Sequence, residues 1–360
     1  MSRVINFSSG PAQLPLEVLE QAARDMHDWQ GSGMSVMEMS HRGPEFFSIL
    51  AQTKELMRNL LNLPDSHSLL FFQGGAIAQN AIIPMNLIGR TGQADYVLSG
   101  LWSEKSYQEA GKYGQVNIAA STLADGYLRM PSQDEWRLSD KAAYLHFCSN
   151  ETISGVECHW TPDSGKVPLV ADMSSNILSA PMDVSSYGLI YAGAQKNMGP
   201  AGVTVVIVRN DLLGHALPIT PAAFNYQIQA AQDSMYNTPP TYAIYIMGLV
   251  LAHIQRAGGL AAMQEHNQRK ADLLYDFLDH SELFHNKVAR ADRSRMNVTF
   301  YLRKEALNDA FLSGAQAHGM VQLRGHRLVG GMRASIYNAM PLASVQTLVN
   351  FMHQFEKANR

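Results

Sequence analysis

The chain has 360 residues, 46% of them hydrophobic, and a formal net charge of −3 at pH 7. This length allows a globular protein of two domains. Lysine and arginine are scattered without a basic stripe or a charge block, so nucleic acid is not an expected partner. The two cysteines, Cys148 and Cys158, make neither a disulfide framework nor a metal set, and the histidines show no H-E-x-x-H spacing.

The sequence also carries no targeting or membrane signal. Residues 1–6 lack the apolar core of a signal peptide. The longest apolar run, residues 242–252, is interrupted by Gly248 and is too short to span a bilayer. We therefore expect a cytoplasmic protein with no membrane association and no structural metal.

The first 45 residues are predicted to form one helix between two turns. Small residues at 7–12, with Ser9 among them, precede apolar positions at helical spacing that start at Leu16. A flexible loop follows, and then the motif M-S-H-R-G-P at 39–44. His41 and Arg42 therefore lie in a turn, for which a surface corner is the ordinary interpretation.

The next segment has the pattern of a phosphate-binding turn. A short apolar strand at 69–72 runs into Gly74 and Gly75, and a helix through Leu87 follows. Free backbone N–H groups and the helix dipole favour an anion at such a helix start. The motif is not G-x-G-x-x-G, so a dinucleotide is not indicated, and a Gly-Gly pair also turns chains without binding anything.

Three further strands are predicted at 95–98, 144–148 and 167–171, and a chemically useful side chain follows each of them. Trp102, Thr152 and Asp172 come after these strands in that order. Ligands of open α/β sheets gather at the carboxyl ends of the strands. Each residue alone has a simpler interpretation, since a tryptophan is often in the core and an aspartate often caps a helix.

The most informative stretch is Y-A-G-A-Q-K-N-M-G-P-A-G at 191–202, which lies between two predicted buried strands at 188–191 and 203–208. Lys196 is at its centre among small residues that leave room for a flat ligand. The order of residues is wrong for a phosphate-binding P-loop. A solvated loop lysine and a Schiff-base lysine are the two remaining interpretations.

The remainder of the chain predicts a second, smaller α/β unit. Helices at 242–256 and 260–278 are separated by Gly258-Gly259. Strands at 296–300 and 320–323, a helix at 305–317 and a last helix after Pro341 follow. The expected fold class is α/β: a large domain, residues 12–258, with a mostly parallel central sheet, and a small C-terminal domain, residues 259–360. Residues 1–11 are expected to pack near the small domain.

The residues at the predicted sheet edge match the needs of pyridoxal phosphate. This cofactor needs a lysine for its aldehyde, a carboxylate for its ring nitrogen, a cup of N–H donors for its phosphate and a flat partner for its ring. Lys196, Asp172, the Gly74-Gly75 turn and Trp102 supply these in one chain, and Thr152 is placed for the ring hydroxyl.

Five motifs resemble those of a known enzyme family. They are N-F-S-S-G-P at 6–11, M-S-H-R-G at 39–43, the 191–202 stretch, M-Y-N-T-P-P at 235–240, and G-H-R-L-V-G-G-M-R-A-S-I-Y-N-A-M at 325–340. The chain resembles the phosphoserine aminotransferases, fold-type I enzymes of the class V aminotransferase family, over essentially its whole length. The resemblance implies a pyridoxal phosphate-dependent transferase that works as a homodimer with shared active sites.

The resemblance also implies a role for individual residues. Lys196 and Asp172 would be the catalytic pair, with Lys196 bound to the cofactor aldehyde and Asp172 paired with its ring nitrogen. The other cofactor contacts would be Ala76, Ile77, Trp102, Thr152, Gln195 and, from the partner subunit, Asn237 and Thr238. The substrate contacts would be Ser9, His41, Arg42, His326, Arg327 and Arg333, of which His41, Arg42, His326 and Arg327 would form the distal anion site, with some of these four crossing the dimer interface. The implied substrates are phosphoserine or 3-phosphohydroxypyruvate and glutamate or 2-oxoglutarate, in serine and pyridoxine biosynthesis.

One departure from the family pattern concerns the phosphate loop. Some family members carry Gly-Arg where this chain has Ala76 and Ile77. Backbone N–H donors survive this change, but a side-chain cation near the substrate phosphate is lost.

Two alternative functions remain open from the sequence. One is another class V enzyme, such as an alanine–glyoxylate type aminotransferase or a cysteine desulfurase, which needs a mobile catalytic cysteine. The other is a dimeric anion-binding protein without catalysis, although binding alone would need neither Lys196 nor Asp172.

Overall fold

The computed structural model of the chain describes residues 3–359. Its helices are α1 Leu16–Arg24, α2 Pro44–Leu61, α3 Gly75–Leu87, α4 Leu101–Ala110, α5 Tyr226–Ala231, α6 Thr241–Arg256, α7 Gly259–His280, α8 Asn308–Ala317 and α9 Leu342–Ala358. Its strands are β1 Ile5–Asn6, β2 His67–Phe72, β3 Gln93–Leu98, β4 Gln115–Ser121, β5 Leu145–Cys148, β6 Asn150–Glu151, β7 Val156–Glu157, β8 Leu169–Asp172, β9 Leu189–Gly193, β10 Thr204–Arg209, β11 Phe284–His285, β12 Asn297–Leu302, β13 Met320–Val321 and β14 Met332–Ser335.

A seven-stranded sheet in the order β2-β10-β9-β8-β5-β3-β4 forms the centre of the larger unit. β10 is antiparallel to both of its neighbours, and the other strands run parallel to one another. The α/β fold with a mostly parallel sheet, predicted from the sequence, is confirmed. Because β2, β3, β5, β8 and β9 point the same way, their carboxyl ends meet at one edge of the sheet.

Helices cover the central sheet on both faces, and the side chains of each strand alternate between the two resulting cores. Leu69 and Phe71 of β2 join the core that α1, α2 and α6 cover, whereas Leu70 and Phe72 join the core that α3, α4 and α5 cover. Burial on both sides explains why the strands read as continuous apolar runs in the sequence.

The smaller unit has its own core and its own three-stranded sheet, β11-β12-β14, packed with α7, α8 and α9. β1 pairs in parallel with β13, and Phe7 is fully buried in this smaller core. α7 begins in the large core with Leu260 and continues into the small one with Leu274. We therefore propose two domains with a boundary near Gly258; residues 1, 2 and 360 of the predicted domain ranges lie outside the described residues.

Taken singly, no helix within residues 3–359 has the length and apolarity of a membrane span. Within the described part of the chain, one pair of helices, α6 and α7, reaches that length and composition when taken together, and these two helices meet at a bend of 84°.

Candidate active site

Lys196 lies in the connection between β9 and β10, at the carboxyl-end edge of the central sheet. Its Nζ donates a hydrogen bond to Thr152 Oγ1 at 2.6 Å and lies 5.8 Å from the centre of the Trp102 ring. Desolvation by the surrounding protein lowers the pKa of the Lys196 amine, and the negative charge of Asp172 acts in the opposite direction. An amine with a lowered pKa is more often uncharged and therefore nucleophilic.

Asp172 is the last residue of β8, the strand that pairs with β9 ahead of Lys196. The side chain is 8% exposed, and its Oδ1 accepts a hydrogen bond from the backbone N–H of Ser174 at 2.8 Å. This bond fixes the carboxylate at the sheet edge and leaves its second oxygen for the N–H of a bound heterocycle.

The predicted phosphate turn is present at the start of α3. Gly74 precedes the helix with φ 93°, a left-handed conformation that glycine adopts without strain, and a Cβ there would lie 2.7 Å from Ala78 Cβ. The N–H groups of Gly75, Ala76 and Ile77 belong to the first turn, where backbone donors have no partner within the helix. α3 therefore offers an anion site at the same edge of the sheet.

Trp102 lies in the first turn of α4, where a buried carboxylate holds the backbone. Glu151 accepts hydrogen bonds from the N–H of Trp102 at 3.0 Å and of Ser103 at 2.9 Å, and from Ser103 Oγ at 2.7 Å. Burial raises the pKa of this Glu151 carboxyl, against the effect of the bonds that it accepts. Glu151 precedes Thr152, so one short segment positions both the ring of Trp102 and the hydroxyl that meets Lys196.

Arg333 reaches the same site from β14 of the smaller unit. Its Nη1 donates to the carbonyl oxygen of Thr152 at 3.1 Å, and its Nε is buried with no hydrogen-bond partner among residues 3–359. The nearby Tyr337 donates its hydroxyl to the carbonyl oxygen of Ser9 at 2.8 Å and accepts from Asn297 Nδ2 at 3.0 Å. The two units therefore meet at the Lys196 site through direct hydrogen bonds.

Of the remaining predicted residues, His326 and Gln195 lie near this cluster, whereas no hydrogen bond or ion pair among residues 3–359 joins the side chain of His41 or Arg42 to it. His326 and Arg327 lie between β13 and β14, and desolvation, followed by the charge of Arg333, lowers the pKa of His326. His41 and Arg42 lie in the turn before α2, with Arg42 exposed. Gln195 precedes Lys196 and lies between the segment of Gly10 and the end of β9.

Asn237 and Thr238 lie in the loop before α6. Gln229 Nε2 donates to Asn237 Oδ1 at 3.2 Å, and Gln73 Nε2 donates to the Thr238 carbonyl oxygen at 3.1 Å. Asn237 and Thr238 are exposed in the single chain, which leaves them accessible to a second subunit.

The chain is similar to known aminotransferases over almost its whole length. Residues 4–348 match the family model described as aminotransferase class-V. A phosphoserine aminotransferase of Janthinobacterium sp. (strain Marseille) is 59% identical over 360 residues, which cover 99% of each chain. The solved phosphoserine aminotransferase of Bacillus circulans subsp. alkalophilus superposes with a TM-score of 0.97 at 46% identity, over 99% of each chain. That of Trichomonas vaginalis, solved with bound pyridoxal phosphate, gives 0.93 at 40% identity over 98% of this chain and 100% of the other.

The chain belongs to the phosphoserine aminotransferase family of the class V aminotransferases.

A member of this family is a pyridoxal phosphate-dependent aminotransferase, and the residues present fit that cofactor. The indole N–H of Trp102 and the Nε of Arg333 are buried beside Lys196 without a partner among residues 3–359, as expected of donors that face a ligand. The amine of Lys196, the carboxylate of Asp172 and the free N–H groups at the start of α3 match the three ends of the cofactor: aldehyde, ring nitrogen and phosphate. Among residues 3–359 there is no group of three or more His, Cys, Asp or Glu side chains that could hold a metal ion.

A cysteine desulfurase, one of the alternatives left open by the sequence, needs a mobile catalytic cysteine. Both cysteines of this class V aminotransferase are buried. Burial raises the pKa of the Cys148 thiol well above its ordinary value and that of the Cys158 thiol to about 12. A thiol that is buried and protonated at neutral pH is a poor nucleophile. The structure therefore disfavours a cysteine desulfurase.

Sequence reasoning missed Glu151, Tyr337 and Asn297 as parts of the site. Glu151 stands beside Thr152 in the sequence, but its partner, the start of α4, is about 50 positions earlier. A single glutamate in a sequence normally lies at a solvated surface position, so nothing in the sequence indicated that Glu151 is fully buried.

Proposed function

We propose that this protein is a phosphoserine aminotransferase that transfers the amino group of L-glutamate to 3-phosphohydroxypyruvate, forming 2-oxoglutarate and O-phospho-L-serine in a reversible reaction. The observation that carries the proposal is the position of the Lys196 amine, which is hydrogen-bonded to Thr152 and lies close to Asp172 and to Arg333, whose Nε is buried without a partner among residues 3–359. The relatives that share at least 40% of the sequence and carry the name phosphoserine aminotransferase support the same reaction.

Lys196 and Asp172 would share the catalytic work. When bound, pyridoxal phosphate supplies an aldehyde that takes up the amino group and a ring that withdraws electrons from the substrate Cα. Lys196 Nζ would take the proton from the substrate Cα as a general base and donate it to the aldehyde carbon of the cofactor as a general acid, a role that its lowered pKa favours. Asp172 would stabilise a protonated ring nitrogen, and Trp102 and Thr152 would hold the ring.

Substrate recognition would rest on cations at two distances from Lys196. Arg333 binds the α-carboxylate through a guanidinium fork. His41, Arg42, His326 and Arg327 bind the distal anion, which is a phosphate in one substrate and a carboxylate in the other. Because the same site must bind glutamate and the phosphorylated keto acid in turn, we expect the complete reaction to follow ping-pong kinetics.

Ser9 is a further proposed contact to the amino-acid substrate. The backbone carbonyl of Ser9 accepts a hydrogen bond from the hydroxyl of Tyr337 at 2.8 Å, and the charge of Arg333 acts on the same hydroxyl. The cofactor phosphate would be held by the backbone of Ala76 and Ile77 and by Gln195, with Asn237 and Thr238 added by the partner subunit. This arrangement makes the active site a property of a homodimer.

The proposed reaction places the enzyme in serine biosynthesis, in the cytoplasm. We also propose that it accepts the related phosphorylated substrate that yields 4-phosphohydroxy-L-threonine, in pyridoxine biosynthesis, because this compound keeps the α-carboxylate and the phosphate of phosphoserine and differs by one CH(OH) group between them.

The alternative is a class V aminotransferase for another pair of amino acid and keto acid. The test is a panel of keto acids, 3-phosphohydroxypyruvate, pyruvate, glyoxylate and oxaloacetate, each offered to the cofactor-loaded protein with glutamate while 2-oxoglutarate is measured. We expect the phosphorylated keto acid to have by far the highest kcat/KM. A higher kcat/KM with glyoxylate or pyruvate would overturn the proposed substrate and leave the aminotransferase intact.

A further inference from the structure

The distal part of the substrate site has a neighbour on α4 that the family comparison does not assign. Lys105 lies three positions after Trp102, on the same face of the helix. Its Nζ lies 4.5 Å from the centre of the Trp102 ring, a distance at which an ammonium is attracted to the indole face. The amine of an exposed residue is therefore held at the ring that lines the active site.

Lys105 is also close enough to the cations of the smaller unit for its charge to act on them. Desolvation and the charge of Arg333 lower the pKa of His326, and the charge of Lys105 lowers it further. Lys105 also lines one groove together with Ile77 of the phosphate turn. Ile77 is apolar and 54% exposed, so it brings no charge to this place.

The charge of Lys105 is available for a ligand. Among residues 3–359 no carboxylate lies within ion-pair distance of its Nζ, whereas Lys112, just beyond the same helix, pairs with Glu109 at 2.6 Å. A cation at the mouth of a site attracts an incoming anion more strongly when no carboxylate already neutralises its charge.

We propose that Lys105 is a specificity-determining residue, whose ammonium, held over Trp102 at the edge of the active site, adds a positive charge for the substrate phosphate. This inference rests on the proposed function, because it concerns the phosphate of phosphoserine. A phosphate carries nearly two negative charges and the distal carboxylate of glutamate carries one, so an added cation favours the phosphorylated substrate.

The experiment compares three variants of the cofactor-loaded enzyme. Lys105→Met removes the charge and keeps an unbranched stem over Trp102, and Lys105→Arg keeps the charge. Lys112→Met is the matched control, because it removes one positive charge from the same region at a residue that is paired with Glu109. The half-reactions with O-phospho-L-serine and with L-glutamate are measured separately, at several salt concentrations, together with the affinity of each variant for pyridoxal phosphate.

We expect Lys105→Met to raise KM for O-phospho-L-serine roughly tenfold, as for the loss of one charge-assisted contact, with kcat nearly unchanged. KM for glutamate should rise much less, Lys105→Arg should restore the wild-type preference, and Lys112→Met should change neither. Added salt should narrow the difference between Lys105→Met and the wild type.

An unchanged KM for O-phospho-L-serine, or an equal rise for both substrates, would overturn the role of Lys105. So would a loss of affinity for pyridoxal phosphate large enough to explain the change, since that would indicate a structural role at Trp102. Failure of the proposed function looks different, because in that case the wild-type enzyme itself would not react with O-phospho-L-serine.

Discussion

At the scale of single residues, Asp172 carries the most specific expectation. Its Oδ1 is held by the N–H of Ser174, so Asp172→Asn keeps a side chain of the same shape but removes the negative charge that would stabilise a protonated ring nitrogen. We expect activity to fall roughly a hundredfold or more, as for the loss of one electrostatic partner in an active site, while the protein still binds pyridoxal phosphate. The half-reaction with glutamate measures this, and Asp134→Asn, at an exposed position, is the control. Activity within a few-fold of the wild type would contradict the role of Asp172.

Lys270 of α7 is buried, forms no ion pair with a carboxylate of residues 3–359, and donates to the carbonyl oxygens of Ile336 at 2.8 Å and Tyr337 at 2.6 Å. Burial lowers its pKa to about 7. The unfolded chain, with the ordinary lysine pKa of about 10.4, therefore binds more protons than the folded chain above pH 7. It follows that this residue makes the free energy of unfolding rise with pH from about 7 to 9, by up to about 1.4 kcal/mol per unit.

Lys270→Met should flatten that rise, in addition to any uniform loss of stability from the two carbonyl groups left without a donor. Urea unfolding at several pH values between 7 and 9 measures the slope, and Lys357→Met, at an exposed position of α9, should keep it. An unchanged slope in Lys270→Met would contradict a proton uptake by Lys270 on unfolding.

The residues of the site differ in how much the sequence reveals of them. Lys196 was predictable because small residues between two apolar runs surround it, and Asp172 because it ends such a run. Glu151 was not predictable, since its importance depends on a helix start that the fold brings to it. Lys105 was not predictable either, because an ordinary exposed lysine and one held over an indole have the same sequence pattern.

At the scale of elements, the sequence predicted the buried strands β2, β3, β5, β8, β9 and β10 to within about two residues at each end. β4 was missed because it is an edge strand of mixed burial, and its polar residues interrupt the apolar run by which the other strands were predicted. The direction of β10 was also not predicted. Its antiparallel pairing follows from the connection of about ten residues after β9, too short for a crossover to a parallel neighbour.

The junction of Gly100, α4 and Glu151 provides a test at this scale. The backbone of Gly100 is extended, but a Cβ there would lie 2.3 Å from Glu151 Cδ. We expect Gly100→Ala to displace the Glu151 carboxylate, to lower the free energy of unfolding by about 1–3 kcal/mol as in other overpacked sites, and to weaken cofactor binding through Trp102.

Gly111→Ala, at the other end of α4, is the matched control for Gly100→Ala. Its added Cβ would lie 3.4 Å from Val116 Cγ2, an ordinary contact, so stability should be kept. Urea unfolding and titration with pyridoxal phosphate measure both variants. A Gly100→Ala protein as stable as the wild type would show that Glu151 does not fix the start of α4.

At the scale of the whole molecule, the proposed homodimer makes a prediction of its own. If Arg42 serves the site of the partner subunit, each site combines Lys196 of one subunit with Arg42 of the other. In a mixed dimer of Lys196→Ala and Arg42→Ala chains, one site then carries both substitutions and the other site carries neither. Two inactive variants that are co-expressed should then regain activity, to about a quarter of the wild type for random pairing in a twofold-symmetric dimer.

The control pair for this experiment is Lys196→Ala with Asp172→Asn, because both residues serve the site of their own subunit. This pair should stay inactive, since no mixed dimer contains an intact site. Absence of any recovery with the Arg42→Ala pair, despite mixed dimers, would show that Arg42 does not cross to the partner.

The most direct test of the central claim is the visible spectrum of the cofactor-loaded protein, recorded alone, after glutamate, and then after 3-phosphohydroxypyruvate. The account predicts a yellow band that bleaches with glutamate and returns with the phosphorylated keto acid, which would demonstrate both half-reactions. A band that returns only with a different keto acid would contradict the proposed substrate. A protein that stays colourless after incubation with pyridoxal phosphate would contradict the role of Lys196.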